Sequence, residues 1–150
     1  SRPDNPKQFL SLGNNISLLQ NSILRALALK IEGKIIIATR KDLLESCAKN
    51  AYELSCKVPD AEKQKIQEDL IILAEPEPKH TTAPIILSCH MLELLVPQKE
   101  HSVLVLTSDH IIKPVETLLQ TAKKLIKLQL QTNSSVLQFL LQKLAQDTAT

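Results

Sequence analysis

Asp109 follows the apolar run Val103–Leu106 by three residues, with Ser108 and His110 beside it. In an open α/β sheet, ligands bind in the crevice beyond the carboxyl ends of the strands. That rule selects three stretches of this chain: Arg40–Lys41, Glu75–Thr82 and Thr107–Lys113. A carboxylate at such a place can hold Mg²⁺, which takes one or two carboxylates together with substrate phosphates. The alternative is that Ser108 or Asp109 simply caps a turn. The other reactive side chains read as structural. Cys89 and His90 fall inside a nearly all-apolar helical stretch, a pattern of burial rather than of metal binding. His101 has no partner in sequence, and Cys47 and Cys56 lack a histidine at a catalytic spacing.

The elements that must position these residues follow from hydrophobic period. Ser17 can cap a helix over about 18–30, which Gly33 stops, and Lys34–Thr39 reads as a short buried strand. Asp42 and Glu45 form a capping-box pattern for a second helix. Val58–Glu68 is polar and reads as a surface excursion, and Asp69–Ala74 is a second buried strand. The prolines of Glu75–Thr82 make it a loop. Thr82 can cap a helix with Pro84 in its first turn, running to about Leu95. Ser102–Leu106 is the third strand. Pro114 opens a helix with one apolar stripe through Val115, Leu118, Leu119, Ala122, Leu125 and Ile126. From Ser134 or Ser135 a last helix is expected, with Leu137, Leu140, Leu141 and Leu144 on one face, a stripe for core or subunit contact. Apolar strands without alternation, joined by helices, specify a mainly parallel sheet in a three-layer α/β fold.

Composition sets limits. The 150 residues carry net charge +2, 27 leucines, two glycines and three aromatic residues. With glycine only at Gly13 and Gly33, no Gly-rich phosphate cradle is written in these residues. Scattered lysines without interleaved aromatics argue against nucleic acid as a partner. No run approaches the ~20 apolar residues of a membrane span. Three cysteines read as reduced thiols of a cytoplasmic protein rather than a disulfide frame.

Four ordered segments carry a resemblance. Ser1-Arg2-Pro3-Asp4-Asn5-Pro6-Lys7-Gln8-Phe9-Leu10-Ser11-Leu12 is similar to the S-R-x-x-x-P-K-Q-F-L-x-L segment of mannose-1-phosphate guanylyltransferases, and Ser17-Leu18-Leu19-Gln20 to their S-L-L-Q. Leu70–Leu73 with Glu75-Pro76 and Thr82-Ala83-Pro84 resembles their strand, E-P and N-T-A-P. Val103–Ile112 resembles V-L-V-L-P-A-D-H-x-I. The resemblance covers residues 1–128 and implies a partial, Rossmann-like nucleotidyltransferase domain, with 129–150 an unmatched helical segment. The family's first strand and its G-G-x-G-T-R loop would stand before or overlap Ser1. On this reading the missing strand leaves a gap in mid-sheet, and no strand follows Leu128.

The function so implied is synthesis of GDP-mannose from mannose 1-phosphate and GTP with Mg²⁺. Asp109 would hold the metal, and Lys7 would place a point charge on the phosphates, reinforced by Arg2. Glu75, Thr81 and Thr82 would lie along the guanosine, in a loop that departs from the family at Pro78–Thr81. The leucine stripe of the last helix, as core or subunit contact, leaves a homo-oligomer open. The alternative is a non-catalytic regulatory or scaffolding homologue.

Overall fold

A computed structural model of the chain describes residues 6–11, 13–75, 82–97, 101–108, 115–132 and 136–142. Four strands, β1 (Ile35–Arg40), β2 (Leu70–Glu75), β3 (His101–Thr107) and β4 (Val136–Gln142), form one sheet of order β2-β1-β4-β3. All three pairings are parallel. Among the described residues α1 (Leu18–Ala28) precedes β1, and α2 (Leu44–Ser55), α3 (Asp60–Asp69), α4 (Thr82–Leu95) and α5 (Val115–Thr132) connect the strands. This is a three-layer, Rossmann-like α/β fold.

Strand residues split by parity between two cores. Ile35 and Ile37 pack with Leu19, Ile23, Ala26 and Leu27 of α1, Cys47, Ala51 and Leu54 of α2, and Ala122 of α5. Ile36 and Ala38 pack on the opposite face, with Leu73 and with Leu92 of α4. Burial on both faces explains why β1 reads as an unbroken apolar run, buried through Thr39 and exposed at Arg40.

The first helix starts where the sequence puts it. Ser17 Oγ accepts from the Gln20 N–H at 3.1 Å, and the Ser17 N–H donates to Gln20 Oε1 at 3.0 Å, a complete capping box. Its end differs: α1 stops at Ala28, and Lys30, ahead of Gly33, takes a left-handed conformation at φ 49°. The Asp42–Glu45 box does not form. A 3₁₀ turn, Lys41–Leu43, leads into α2, and Leu43 caps it without a side-chain bond. Asp42 instead accepts from the guanidinium of Arg40, a charge-assisted fork that outcompetes a cap.

The polar excursion is a helix, α3. Its first turn carries Asp60 and Glu62, favourable at a helix start, and Ile66 pins it to the core. Lys65 Nζ donates to the Gly33 carbonyl at 2.7 Å and pairs with Asp69 at 2.8 Å, while Lys34 meets Asp69 at 2.7 Å. Burial raises the Asp69 carboxyl's pKa, but hydrogen bonds and charge from the two lysines more than offset it, so the group lies below the ordinary range. One buried apolar residue, Ile66, and two ion pairs at Asp69 leave no helical hydrophobic period to read.

The largest departure is β4. Where the sequence suggests a final helix, residues 136–142 form a strand, and that strand lies in mid-sheet between β1 and β3, where an empty place was expected. Five of its seven residues are apolar, so the run satisfies a buried strand as well as a helix face. The slot between two parallel strands offers a ladder on each side, Ile35–Ala38 paired with Phe139–Gln142 and His101–Thr107 with Val136–Gln142. The 18-residue α5, longer than its pattern suggests, carries the chain back to enter that slot.

Candidate functional site

Because the strands are parallel, their carboxyl ends share one rim. Arg40 stands level with Glu75, and Gln142 stands level with both Ala38 and Thr107. By parity Arg40 and Glu75 lie on the α4 face, side by side. Glu75 is half-buried, and burial pushes its carboxyl upward. Arg40 turns its fork to Asp42: Nε donates to Oδ1 at 2.9 Å and Nη2 to Oδ2. The hydrogen bond and charge of Asp42 raise the guanidinium's pKa, and the Arg40 hydrogen bond lowers that of Asp42. The rim thus presents a half-buried carboxyl group next to an oriented cation.

Lys7 sits in a short 3₁₀ turn, Lys7–Phe9, ahead of α1. Buried Gln8 and the packing of Phe9 on the core anchor that turn, and Lys7 itself is exposed. Leu10 accepts from the Leu18 N–H at 3.2 Å, tying the turn to the start of α1. Between this segment and α2 lies a polar cavity of about 530 Å³, lined among others by Ser17, Gln20, Asp42, Ser46, Asn50 and Glu53. Its walls are cross-braced: Ser17 Oγ donates to Asn50 Oδ1 at 2.7 Å, and Gln20 Nε2 donates to the Asn50 carbonyl at 3.0 Å.

Of the residues singled out by sequence, Glu75 stands on the strand rim. Thr82 opens α4 and is exposed. Lys7 belongs to the α1 side, and among the described residues no hydrogen bond or ion pair joins it to Glu75 or Thr82. Arg2, Thr81 and Asp109 lie outside the described residues. So does the loop from 76 to 81. The fork of Arg40 with Asp42 was hidden in sequence because Asp42 also fits a cap.

Among the described residues no three His, Cys, Asp or Glu side chains converge on a common point. The three thiols are free. Cys47 is buried, which raises its pKa against an opposing hydrogen bond from Thr39, as fits an inert core thiol. His90 is not buried as its apolar neighbours suggest: it is exposed, 3.8 Å from the equally exposed Glu93. Among the described residues no helix is long and apolar enough to cross a membrane.

Comparison with known proteins agrees with this geometry. Residues 1–145 match the family model described as nucleotidyl transferase, a span that includes β4. Over 127 residues the chain is 29% identical to a mannose-1-phosphate guanylyltransferase of Escherichia coli, covering 84% of this chain and 25% of that protein. The chain thus spans about a quarter of that relative's length. No solved structure matches significantly. A parallel sheet with charged groups at its carboxyl rim, together with a match over nearly all its residues, places this chain in the nucleotidyl transferase family.

Proposed function

We propose that this chain is part of an enzyme that makes GDP-mannose from mannose 1-phosphate and GTP. A phosphate oxygen of the sugar phosphate attacks the α-phosphorus of GTP in line, and pyrophosphate leaves. The observation that carries this reading is the 29% identity to the guanylyltransferase over 84% of the chain. The reaction needs charge neutralisation and positioning more than proton transfer.

Lys7, exposed on its anchored turn, supplies a point charge to the phosphates, with Arg2 five residues upstream. Glu75 offers acceptor oxygens to the N–H groups of a guanine edge, and Thr81 and Thr82, the latter opening α4, would contact the same nucleoside. Arg40, pre-oriented by Asp42, adds donors to the same rim. Asp109 would hold Mg²⁺, which when bound neutralises phosphate charge.

The test is an assay of the full-length protein with GTP and mannose 1-phosphate against UTP or dTTP with glucose 1-phosphate. The guanylyl pair is expected to turn over best. Equal or better use of the second pair overturns the assignment. Binding of the nucleotide sugar without turnover identifies the non-catalytic homologue instead.

A further inference from the structure

The polar cavity between the Lys7–Phe9 turn and α2 stands apart from the strand rim. Helices α1 and α2 pack on the Ile35 and Ile37 face of the sheet, whereas Arg40 and Glu75 share the parity of Ile36 on the α4 face. Lys7 is not among the residues that line the cavity. Its volume of about 530 Å³ falls within the ~300–1,000 Å³ of small-molecule sites, which are mostly apolar. Here Ser, Asn and Gln side chains outnumber apolar ones among the described lining residues. A wall of that composition calls for a ligand rich in hydrogen-bonding groups.

The wall is fixed in advance. Gln20 and Ser17 are 2% and 5% exposed, yet both line the cavity. Gln20 Oε1 accepts from the Ser17 N–H, and Nε2 spends one of its two N–H groups on the Asn50 main-chain carbonyl. Asn50 is clamped at both ends of its amide. Its Oδ1 accepts from Ser17 Oγ at 2.7 Å, and its Nδ2 donates to the Ser46 main-chain carbonyl at 2.9 Å. These bonds set the orientation of the amide and leave it one N–H and one acceptor lone pair. A donor and an acceptor side by side suit two adjacent hydroxyls, each of which both donates and accepts. Because the side chain is already ordered, binding loses little rotamer entropy.

Charge narrows the class of ligand. Asp42 is taken up by the fork of Arg40, so the charges left on the wall are Lys49 and Glu53, one of each sign. A phosphate or a polyamine calls for an excess of the opposite charge, which this wall does not offer. Phe9 and Pro6 add an apolar patch against which a ring can lay its C–H face. We infer that the cavity is a binding site for a neutral polyhydroxylated ring, a sugar or cyclitol, held through adjacent hydroxyls by Asn50 and Gln20 and separate from the nucleotide site.

Saturation-transfer difference NMR on the full-length protein tests this, with D-mannose, D-glucose and myo-inositol as probes, each alone and with excess GTP. At least one probe should show transfer to its ring protons, and GTP should leave that signal in place. Ser46→Trp, which puts an indole into the cavity from a half-buried position on α2, should abolish it. If that variant does not fold, Lys49→Trp, from an exposed position on the same wall, is read by the same criterion. No transfer to any of the three probes, with the wild type shown folded by its melting curve, overturns the site. A signal that GTP removes, or that survives a folded tryptophan variant, puts the sugar elsewhere and overturns it too. Stabilisation by inorganic phosphate that the tryptophan variant loses, with no transfer to the neutral probes, makes the cavity an anion site and overturns the ligand class. None of these readouts depends on turnover, so the nucleotidyl-transfer reading stands or falls separately.

Discussion

Asp109→Asn keeps the shape of the side chain and removes its charge. If the carboxylate holds the metal that stabilises the transition state, kcat of the full-length protein should fall by ~10²–10³, as for loss of one preorganised electrostatic contact. A Mg²⁺ titration with melting in parallel checks this. Near-normal kcat, or a large drop in Tm, would return Asp109 to turn capping. Glu75 makes the opposite kind of prediction. Its folded-state pKa is raised by burial, so the stability this raised pKa contributes is present below the unfolded value and is lost as pH rises through the folded one. Glu75→Gln should therefore match or exceed wild-type stability at neutral pH, a difference that vanishes below about pH 4, near the unfolded glutamate pKa. The same variant should bind GTP more weakly, because an amide presents one acceptor where a carboxylate presents two. Melting curves against pH, alongside GTP binding, test both halves.

Among the elements, α1 is the one whose local chemistry is most completely written in sequence. Ser17 closes the capping box and also braces Asn50 across to α2. Ser17→Ala should cost about 1–2 kcal/mol, the scale of a lost cap. In a domain of this size that is a fall in Tm of roughly 2–8 °C. A change under 1 °C in thermal melting would show that the box adds nothing. Helices α2 and α3 show where local reading ends. Asp42 had two suitors, a cap at α2 and the guanidinium of Arg40, and the charged partner won. For α3 the stabilising groups are Lys34, Gly33 and Asp69, drawn partly from outside the helix, so no window of its own residues contains the signal.

For the molecule as a whole, the question is which segment completes the sheet. β4 is hydrogen-bonded on both sides, so a proline there removes a ladder bond in mid-sheet. Leu140→Pro should destabilise by about 3 kcal/mol, at the upper end for single substitutions, and a Tm within 2 °C of wild type would contradict its central place. The sequence by itself determined three strands, their parallel pairing through helical crossovers, the cap of α1 and the family. Those rest on short-range signals: runs buried on both faces, caps within four residues, and motifs in order. Only the tertiary structure decided that residues 136–142 are a strand, that Arg40 turns to Asp42, and that Ser17 reaches Asn50. Five apolar residues in seven fit a helix face and a buried strand equally well. What broke that tie was the open slot between β1 and β3, which residues 136–142 enter with a ladder of backbone hydrogen bonds on each side.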